Sequence, residues 1–431
     1  MKVEKVFKRY DIRGDYPEEI DGEFSERLGR AAGTFSVDEE VEKVIVSRDN
    51  RDVSEKAKQS FMEGLRETGV SIIDIGEGTT DRLALAAKFY GGIGIQVTAS
   101  HLSWDKTGFK FVYKEGNGFS NGDMDRIKDI FLEDDFENSI QRFELDESFE
   151  FDETYQEEIR EFLGEPERKD LKVVLDCCKG AAGKLAPRIF EELGFEVVKV
   201  ERDGQDPHPK KENRKFVRRT VEDQRADIGI GFDPDGDRVY VVLPEEGWID
   251  GNTLTYALSK LTGAERIAVS VDSYDIVEES GAEVFYSRVG DIFVSELGME
   301  EEVDLLAEPN GHFAFPAFSW YNSGILTGAY IASNFERFRA IVREVPEFYT
   351  ESFSINLKGD QEKKNLMRKA KKHAAKNYSI KSTVDGVKFG SKDFTALVRP
   401  SGTSEKIRVT VYSNKREKAE KVSEEIYELF S

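Results

Sequence analysis

The chain has 431 residues, 39% of them hydrophobic, which supplies packed cores and exceeds what a disordered chain carries. Its 62 basic and 85 acidic residues give a formal net charge of −23, which argues against nucleic acid or an anionic membrane surface as a partner. So long a chain outgrows one core and predicts two to four domains.

No apolar run approaches the ~18 residues of a membrane span, and Met1-Lys2-Val3-Glu4-Lys5 lacks the apolar core of a signal peptide. The only cysteines, Cys177 and Cys178, are adjacent and offer neither a ready bridge nor a zinc spacing. A cytoplasmic protein without a membrane partner is expected.

Residues 1–145 read as a first α/β unit. Arg13-Gly14 sets a fixed positive charge beside flexible backbone, which suits a phosphate and equally a surface salt bridge. Val44-Ile45-Val46 is a short strand, Ser54 to Thr68 is helical with Ala57, Phe61 and Leu65 on one face, and Ser71 to Ile75 is the next strand. Ile93, Ile95 and Val97 alternate as in a strand, and the chain leaves it at Thr98-Ala99-Ser100-His101, with Lys110 beyond Gly108. Ser100, His101 and Lys110 together offer a nucleophile, a proton-handling group and an acid/base. Taken alone, the pattern fits a turn with a capping serine as well. Residues 133–168 are acidic and predict a connecting helix, mostly solvated, around Tyr155 to Leu163.

A second unit, 146–250, contains the strand Leu171 to Asp176 and the turn Gly180-Ala181-Ala182-Gly183-Lys184. Leu185 stands where a phosphate-binding loop needs Ser or Thr, so close helix–strand packing explains these glycines better. Asp206-Pro207-His208-Pro209 is a rigid loop in which His208 is structural. The apolar run Asp227 to Phe232 empties into Asp233-Pro234-Asp235-Gly236-Asp237-Arg238. This is no EF-hand, because Gly236 falls between the second and third Asp and Pro244 takes the closing position. Three carboxylates in five residues repel unless a cation lies among them, and a hard-oxygen set suits Mg2+. Without a cation the stretch would be an acidic surface turn.

A third unit, 251–345, holds the strand Val284 to Tyr286, followed by Ser287-Arg288-Val289-Gly290-Asp291. It also holds Val303 to Ala307, which empties into Glu308-Pro309-Asn310-Gly311-His312. The last unit, 346–431, has a Lys-rich helix and two strands flanking Arg399-Pro400-Ser401-Gly402-Thr403, the second carrying Arg408. These arginines, hydroxyls and the Gly402 amide make a donor cluster of phosphate size, or a hairpin with a polar turn.

Four strand-then-polar-loop units in this order resemble the α-D-phosphohexomutases. That family's loops read T-A-S-H-N-P-x-x-x-N-G-x-K, D-x-D-G-D-R, G-E-x-S-G-H and R-x-S-G-T, and the resemblance runs from Tyr10 to Arg408. It implies a four-domain α/β protein: three related αβα domains and a smaller C-terminal α+β domain around a central cleft, one loop from each. It implies a phosphoserine at Ser100 faced by Arg13, with His101 and Lys110 exchanging the substrate's hydroxyl proton. It places Mg2+ on Asp233, Asp235, Asp237 and a phosphoserine oxygen of Ser100. Sugar contacts are implied for Arg238, Gly290, Glu308, Asn310 and His312, and contacts to the non-reacting phosphate for Arg399, Ser401, Gly402, Thr403 and Arg408. The implied reaction interconverts hexose 1-phosphate and hexose 6-phosphate, of mannose and/or glucose. It passes through a hexose 1,6-bisphosphate that also serves as activator, and glucosamine phosphate is the alternative substrate.

The chain departs from the family pattern at Leu102, Ser103, Thr107, Ala307, Asn310 and Ser404-Glu405. These changes bear on substrate identity more than on reaction type. The altered flanks of Ser100 leave two other readings: a catalytically silent sugar-phosphate binder, and a phosphatase using the same phosphoserine with water as acceptor.

Overall fold

The computed structural model describes residues 3–139, 143–200, 211–401 and 405–430. His208, Gly402 and Thr403 lie outside them. By compactness the chain falls into two units, Met1–Asp250 with Asn310–Glu336, and Gly251–Pro309 with Arg337–Ser431.

In the first unit, six strands run in the order Asp11–Asp15, Lys106–Val112, Ile93–Val97, Lys43–Arg48, Ser71–Glu77, Glu144–Asp146. Ile93–Val97, Lys43–Arg48 and Ser71–Glu77 are parallel neighbours. The helices Asp52–Arg66 and Thr80–Tyr90 make the crossovers that parallel pairing requires. Ile93–Val97 is buried at every position, as a strand covered on both faces must be. Lys106–Val112 turns back antiparallel to it, which returns Lys110 opposite Gln96, close to the loop that leaves the strand.

Helix Asp52–Arg66 buries the expected stripe of Ala57, Phe61 and Leu65. It packs on helix Gly22–Asp38 at very short range. A Cβ at Gly29 would lie 2.0 Å from the Phe61 carbonyl oxygen, and one at Gly64 would lie 1.9 Å from that of Glu26. Only glycine permits that approach.

The acidic stretch after residue 133 is not the solvated connector expected. Glu144–Asp146 joins the sheet beside Ser71–Glu77, and helix Glu150–Leu163 buries Phe151, Tyr155 and Ile159. Those residues recur every four positions, so one apolar stripe turns inward while most acidic residues take the other faces; Asp152 is buried beside the stripe and pairs with Arg82 at 2.7 Å.

A second sheet runs Gly247–Ile249, Val239–Leu243, Ile228–Phe232, Lys172–Asp176, Glu196–Lys199. Ile228–Phe232, buried throughout, is its central strand. The second unit contains a parallel set, Glu283–Ser287, Arg266–Ser270 and Leu305–Ala307. It also contains an antiparallel sheet of Tyr349–Asn356, Lys406–Ser413, Phe394–Pro400, Val387–Gly390 and Ser379–Ser382. Helices Asp360–Asn377 and Arg416–Phe430 pack on this sheet and share its core with Val398, Val409 and Val411. No helix among the described residues is long and apolar enough to cross a membrane.

Candidate functional site

Ser100 sits where strand Ile93–Val97 opens into its loop, buried and with φ +54°, a left-handed backbone that a non-glycine residue adopts at a cost. The loop around it is held from below. The Ser100 amide donates to Thr98 Oγ1 at 2.9 Å, and Thr98 Oγ1 donates to Asp49 Oδ2 at 2.6 Å. The buried Arg51 guanidinium pairs with Asp49 and donates to the carbonyls of Ser100 at 2.6 Å and Leu102 at 2.8 Å. It also lies 5.0 Å from the Trp104 ring centroid. Ser100 Oγ is 3.3 Å from His101 Nδ1, a contact in which either group can hold the proton. Arg51 and its partner Asp49 escaped the sequence reading, because a buried Arg that reads carbonyls 49 and 51 positions away leaves no local pattern.

The three aspartates do not form a surface turn: Asp233, Asp235 and Asp237 are all buried. One oxygen of each, chosen for mutual proximity, lies within 4.8 Å of the others. Lys110 Nζ bridges Asp235 Oδ2 and Asp237 Oδ2 at 2.7 Å each, which joins the serine-bearing sheet to the aspartate loop. Arg13, on the edge strand opposite Gly108, is half-buried and pairs with Asp11 at 2.6 Å. His312 Nε2 accepts from Arg238 Nε at 2.9 Å and lies 3.4 Å from Asp237 Oδ1. Asn310 is exposed, and its side chain accepts from the His312 amide at 3.1 Å.

These charges do not balance evenly. Burial raises the Asp237 carboxyl, but its positive neighbours, Lys110 foremost, outweigh it and hold the group well below the usual range. Burial and Asp237 likewise raise Asp235, and Lys110 and Arg13 bring it below its ordinary value. Asp233, driven up by burial and by Asp237 and Asp235, is pushed well above it. Asp233 Oδ2, Asp235 Oδ1 and Asp237 Oδ1 are buried without a hydrogen-bond partner. Buried polar atoms are ordinarily satisfied, so three buried aspartates, each with an oxygen outside any hydrogen bond and with one oxygen apiece within 4.8 Å of the others, fit a divalent cation such as Mg2+.

In the second unit, Glu308 is buried and accepts from the Gly290 amide at 3.0 Å through Oε1. Gly290 has φ +134°, which only glycine takes without strain, so the Glu308 contact depends on that residue type. Arg399 and Arg408 are direct cross-strand partners. Like charges so placed destabilise a sheet unless something negative joins them. Asp385 at 3.2 Å and Asp272 at 3.9 Å answer Arg399, while Arg408 is exposed. Ser401 is buried, its amide donating to the Lys406 carbonyl at 2.8 Å. The half-buried Cys177 thiol is pushed up to about 12 by desolvation, which makes it a poor nucleophile.

Family models for phosphoglucomutase/phosphomannomutase match in succession: alpha/beta/alpha domain I over residues 4–138, domain II over 153–247, domain III over 254–348, and the C-terminal domain over 355–429. A Methanopyrus kandleri protein described as a "probable phosphoglucosamine mutase" is 30% identical over 450 residues, covering 99% of this chain and 97% of its own. The phosphoglucomutase/phosphomannomutase of Thermococcus kodakarensis is 30% identical over 443 residues, 96% of each chain. The X-ray structure of a phosphoglucomutase/phosphomannomutase family protein from Burkholderia thailandensis matches with a TM-score of 0.88 at 25% identity, over 100% of this chain and 97% of its own. Three αβα domains followed by a smaller C-terminal domain define the architecture of the α-D-phosphohexomutases, isomerases that transfer a phosphoryl group. The chain belongs to their phosphoglucomutase/phosphomannomutase family.

Proposed function

We propose that this protein interconverts hexose 1-phosphate and hexose 6-phosphate, of mannose and/or glucose, by passing a phosphoryl group through Ser100 and a hexose 1,6-bisphosphate. The observation that carries the reading is Lys110, which ties the strand beside Ser100 to Asp235 and Asp237. A nucleophilic hydroxyl, a fixed cation and an acidic metal set are the parts that phosphoryl transfer requires.

In this reading Asp233, Asp235 and Asp237 hold Mg2+, which when bound neutralises charge on the transferring phosphoryl group. Ser100 Oγ is the phosphoryl acceptor and donor. His101 Nδ1, in contact with it, and Lys110 Nζ exchange the substrate's hydroxyl proton. Arg13 adds fixed positive charge on the edge strand. Arg238, Gly290, Glu308, Asn310 and His312 serve the sugar. Arg399, Ser401, Gly402, Thr403 and Arg408 serve the phosphate that is not reacting, and the two facing arginines support that role.

The relatives favour a second substrate, glucosamine phosphate, since the Methanopyrus kandleri relative carries that description. A coupled assay with added bisphosphate over glucose, mannose and glucosamine 1-phosphates tests the proposal. Net isomerisation supports it, release of inorganic phosphate identifies a phosphatase, and neither identifies a silent binder.

A further inference from the structure

The aspartate loop is gripped through its backbone as well as its side chains. Three consecutive carbonyl oxygens of the loop each accept an amide from the start of a different helix. Pro234 accepts from Ala181, the N-cap of helix Ala182–Glu192, at 2.7 Å. Asp235 accepts from Thr80, first residue of helix Thr80–Tyr90, at 3.0 Å. Gly236 accepts from Gly324, first residue of helix Gly324–Ser333, at 2.9 Å. With the carbonyls turned to these three helix starts, the positive ends of the helix dipoles face an acidic loop, which offsets part of the cost of crowding its carboxylates.

Two of those helix starts are joined to each other. Ser323 caps helix Gly324–Ser333 by accepting from the Leu326 amide at 3.1 Å, and its hydroxyl donates to Asp81 Oδ2. Asp81 is the second residue of helix Thr80–Tyr90, and the same oxygen accepts from Tyr155 Oη. Asp81, Ser323 and Tyr155 are all buried. The grip is also tight. A Cβ on Gly324 would lie 2.4 Å from the Arg238 carbonyl oxygen and 2.8 Å from that of Gly236. Neither atom is the movable end of a side chain, so the loop itself would have to shift.

We propose that Asp81, Ser323, Tyr155 and Gly324 are positioning residues that hold the Asp233–Asp237 loop in its metal-receiving geometry before any cation arrives. None of them touches a reacting atom. They act by fixing two helix starts against the loop carbonyls, so that one oxygen from each of the three aspartates is held within 4.8 Å of the others. The inference rests on the reading of the three aspartates as the metal site.

Mn2+ is the probe, titrated calorimetrically into wild type, Asp235→Asn, Tyr155→Phe, Gly324→Ala and Ser120→Ala, with a melting curve of each without metal. Tyr155→Phe removes one donor and no helix cap. Gly324→Ala adds one methyl group against the loop. Ser120→Ala removes an N-cap bond of helix Asn121–Glu133, away from the loop, and controls for general destabilisation. Wild type should bind one Mn2+ that Asp235→Asn loses. Loss of groups supporting metal ligands typically costs ten- to a hundredfold in affinity, so Gly324→Ala should weaken binding about tenfold or more and Tyr155→Phe several-fold. Ser120→Ala should melt earlier yet bind Mn2+ as wild type does. If Gly324→Ala does not fold, Tyr155→Phe decides. Wild-type affinity in Tyr155→Phe, or an equal loss in Ser120→Ala, overturns the positioning role and leaves the metal reading standing. A wild type that binds Mn2+ no better than Asp235→Asn overturns both.

Discussion

Ser100 combines the reactive role proposed for it with an unfavourable backbone. Its φ of +54° costs a residue with a Cβ roughly 1 kcal/mol relative to glycine. Ser100→Ala and Ser100→Gly should both abolish mutase activity, and Ser100→Gly should be the more stable by about that amount in urea unfolding. Peptide mapping of active enzyme should find one phosphoryl group on the Ser100 peptide, and active enzyme without it would remove the phosphoserine mechanism. Asp235→Asn should slow turnover about a hundredfold or more and blunt its dependence on divalent cation, because charge in the transition state goes uncompensated. Arg51 makes a different prediction. Its loss strands Asp49, which is as buried as its partner, and breaking a buried pair costs about 3–5 kcal/mol. Arg51→Met should therefore show a large fall in unfolding free energy, which the Ser100 variants lack.

At the scale of elements, the second unit has its own half-buried ionic node. Asp275, at the start of the 3-10 turn Asp275–Ser280, pairs with Lys388 at 3.2 Å and with Lys381, and accepts from Thr395 and from Tyr412 at 2.5 Å. Lys388 and Thr395 lie on adjacent strands, Val387–Gly390 and Phe394–Pro400, so one carboxylate fastens the turn to the antiparallel sheet. Burial opposes its ionisation, but Lys388, Lys381 and the two hydroxyls prevail and bring it below its ordinary 3.8. A carboxyl lowered on folding stabilises fully above the unfolded value and loses that contribution as pH falls through the folded one. Denaturant unfolding should therefore show wild-type stability dropping below about pH 4, with a shallower drop in Asp275→Asn, which should already be weaker at pH 6. The facing arginines are the other element-scale feature. Arg408→Ala removes a like-charge neighbour of Arg399 while deleting a donor proposed for the non-reacting phosphate. It should raise KM for sugar phosphates without lowering melting temperature in phosphate-free buffer.

The whole molecule must handle a bisphosphate in two orientations if the proposed reaction holds. A half-turn that exchanges C1 and C6 roughly exchanges the C3 and C4 hydroxyls, both equatorial in glucose and mannose, and moves the C2 substituent elsewhere. A carboxylate that reads C3 and C4 therefore serves both orientations and cannot read C2 strictly. Glu308, buried and fixed by the Gly290 amide, is the group assigned to that task. Glucose and mannose phosphates should both turn over, with glucosamine phosphate possible. Galactose phosphate should be strongly disfavoured, because its axial C4 hydroxyl leaves a buried polar group unpaired. Glu308→Gln should lower turnover of the glucose and mannose substrates alike. A preference for galactose phosphate, or an effect confined to one C2 epimer, would refute this account of Glu308.

Much of the α/β pattern was legible in local periodicity. The alternation of Ile93, Ile95 and Val97, the Ala57–Phe61–Leu65 stripe and the four polar loops after apolar runs each carry their own signal, because strand and helix periods are written over a few residues. The family, too, was legible, since four loop motifs in order constrain each other more than any one does. The buried stripe of Glu150–Leu163 was missed because its acidic residues dominate the composition. The supports of the chemistry were hidden for a different reason. Arg51 reaches the Ser100 carbonyl, Lys110 reaches Asp235, and Ser323 reaches Asp81, across 49, 125 and 242 positions of chain. A sequence fixes which side chains carry charge and which stretches form helix or strand. Which charges meet is decided by how sheets and helices pack, and only there do three repelling carboxylates become a site.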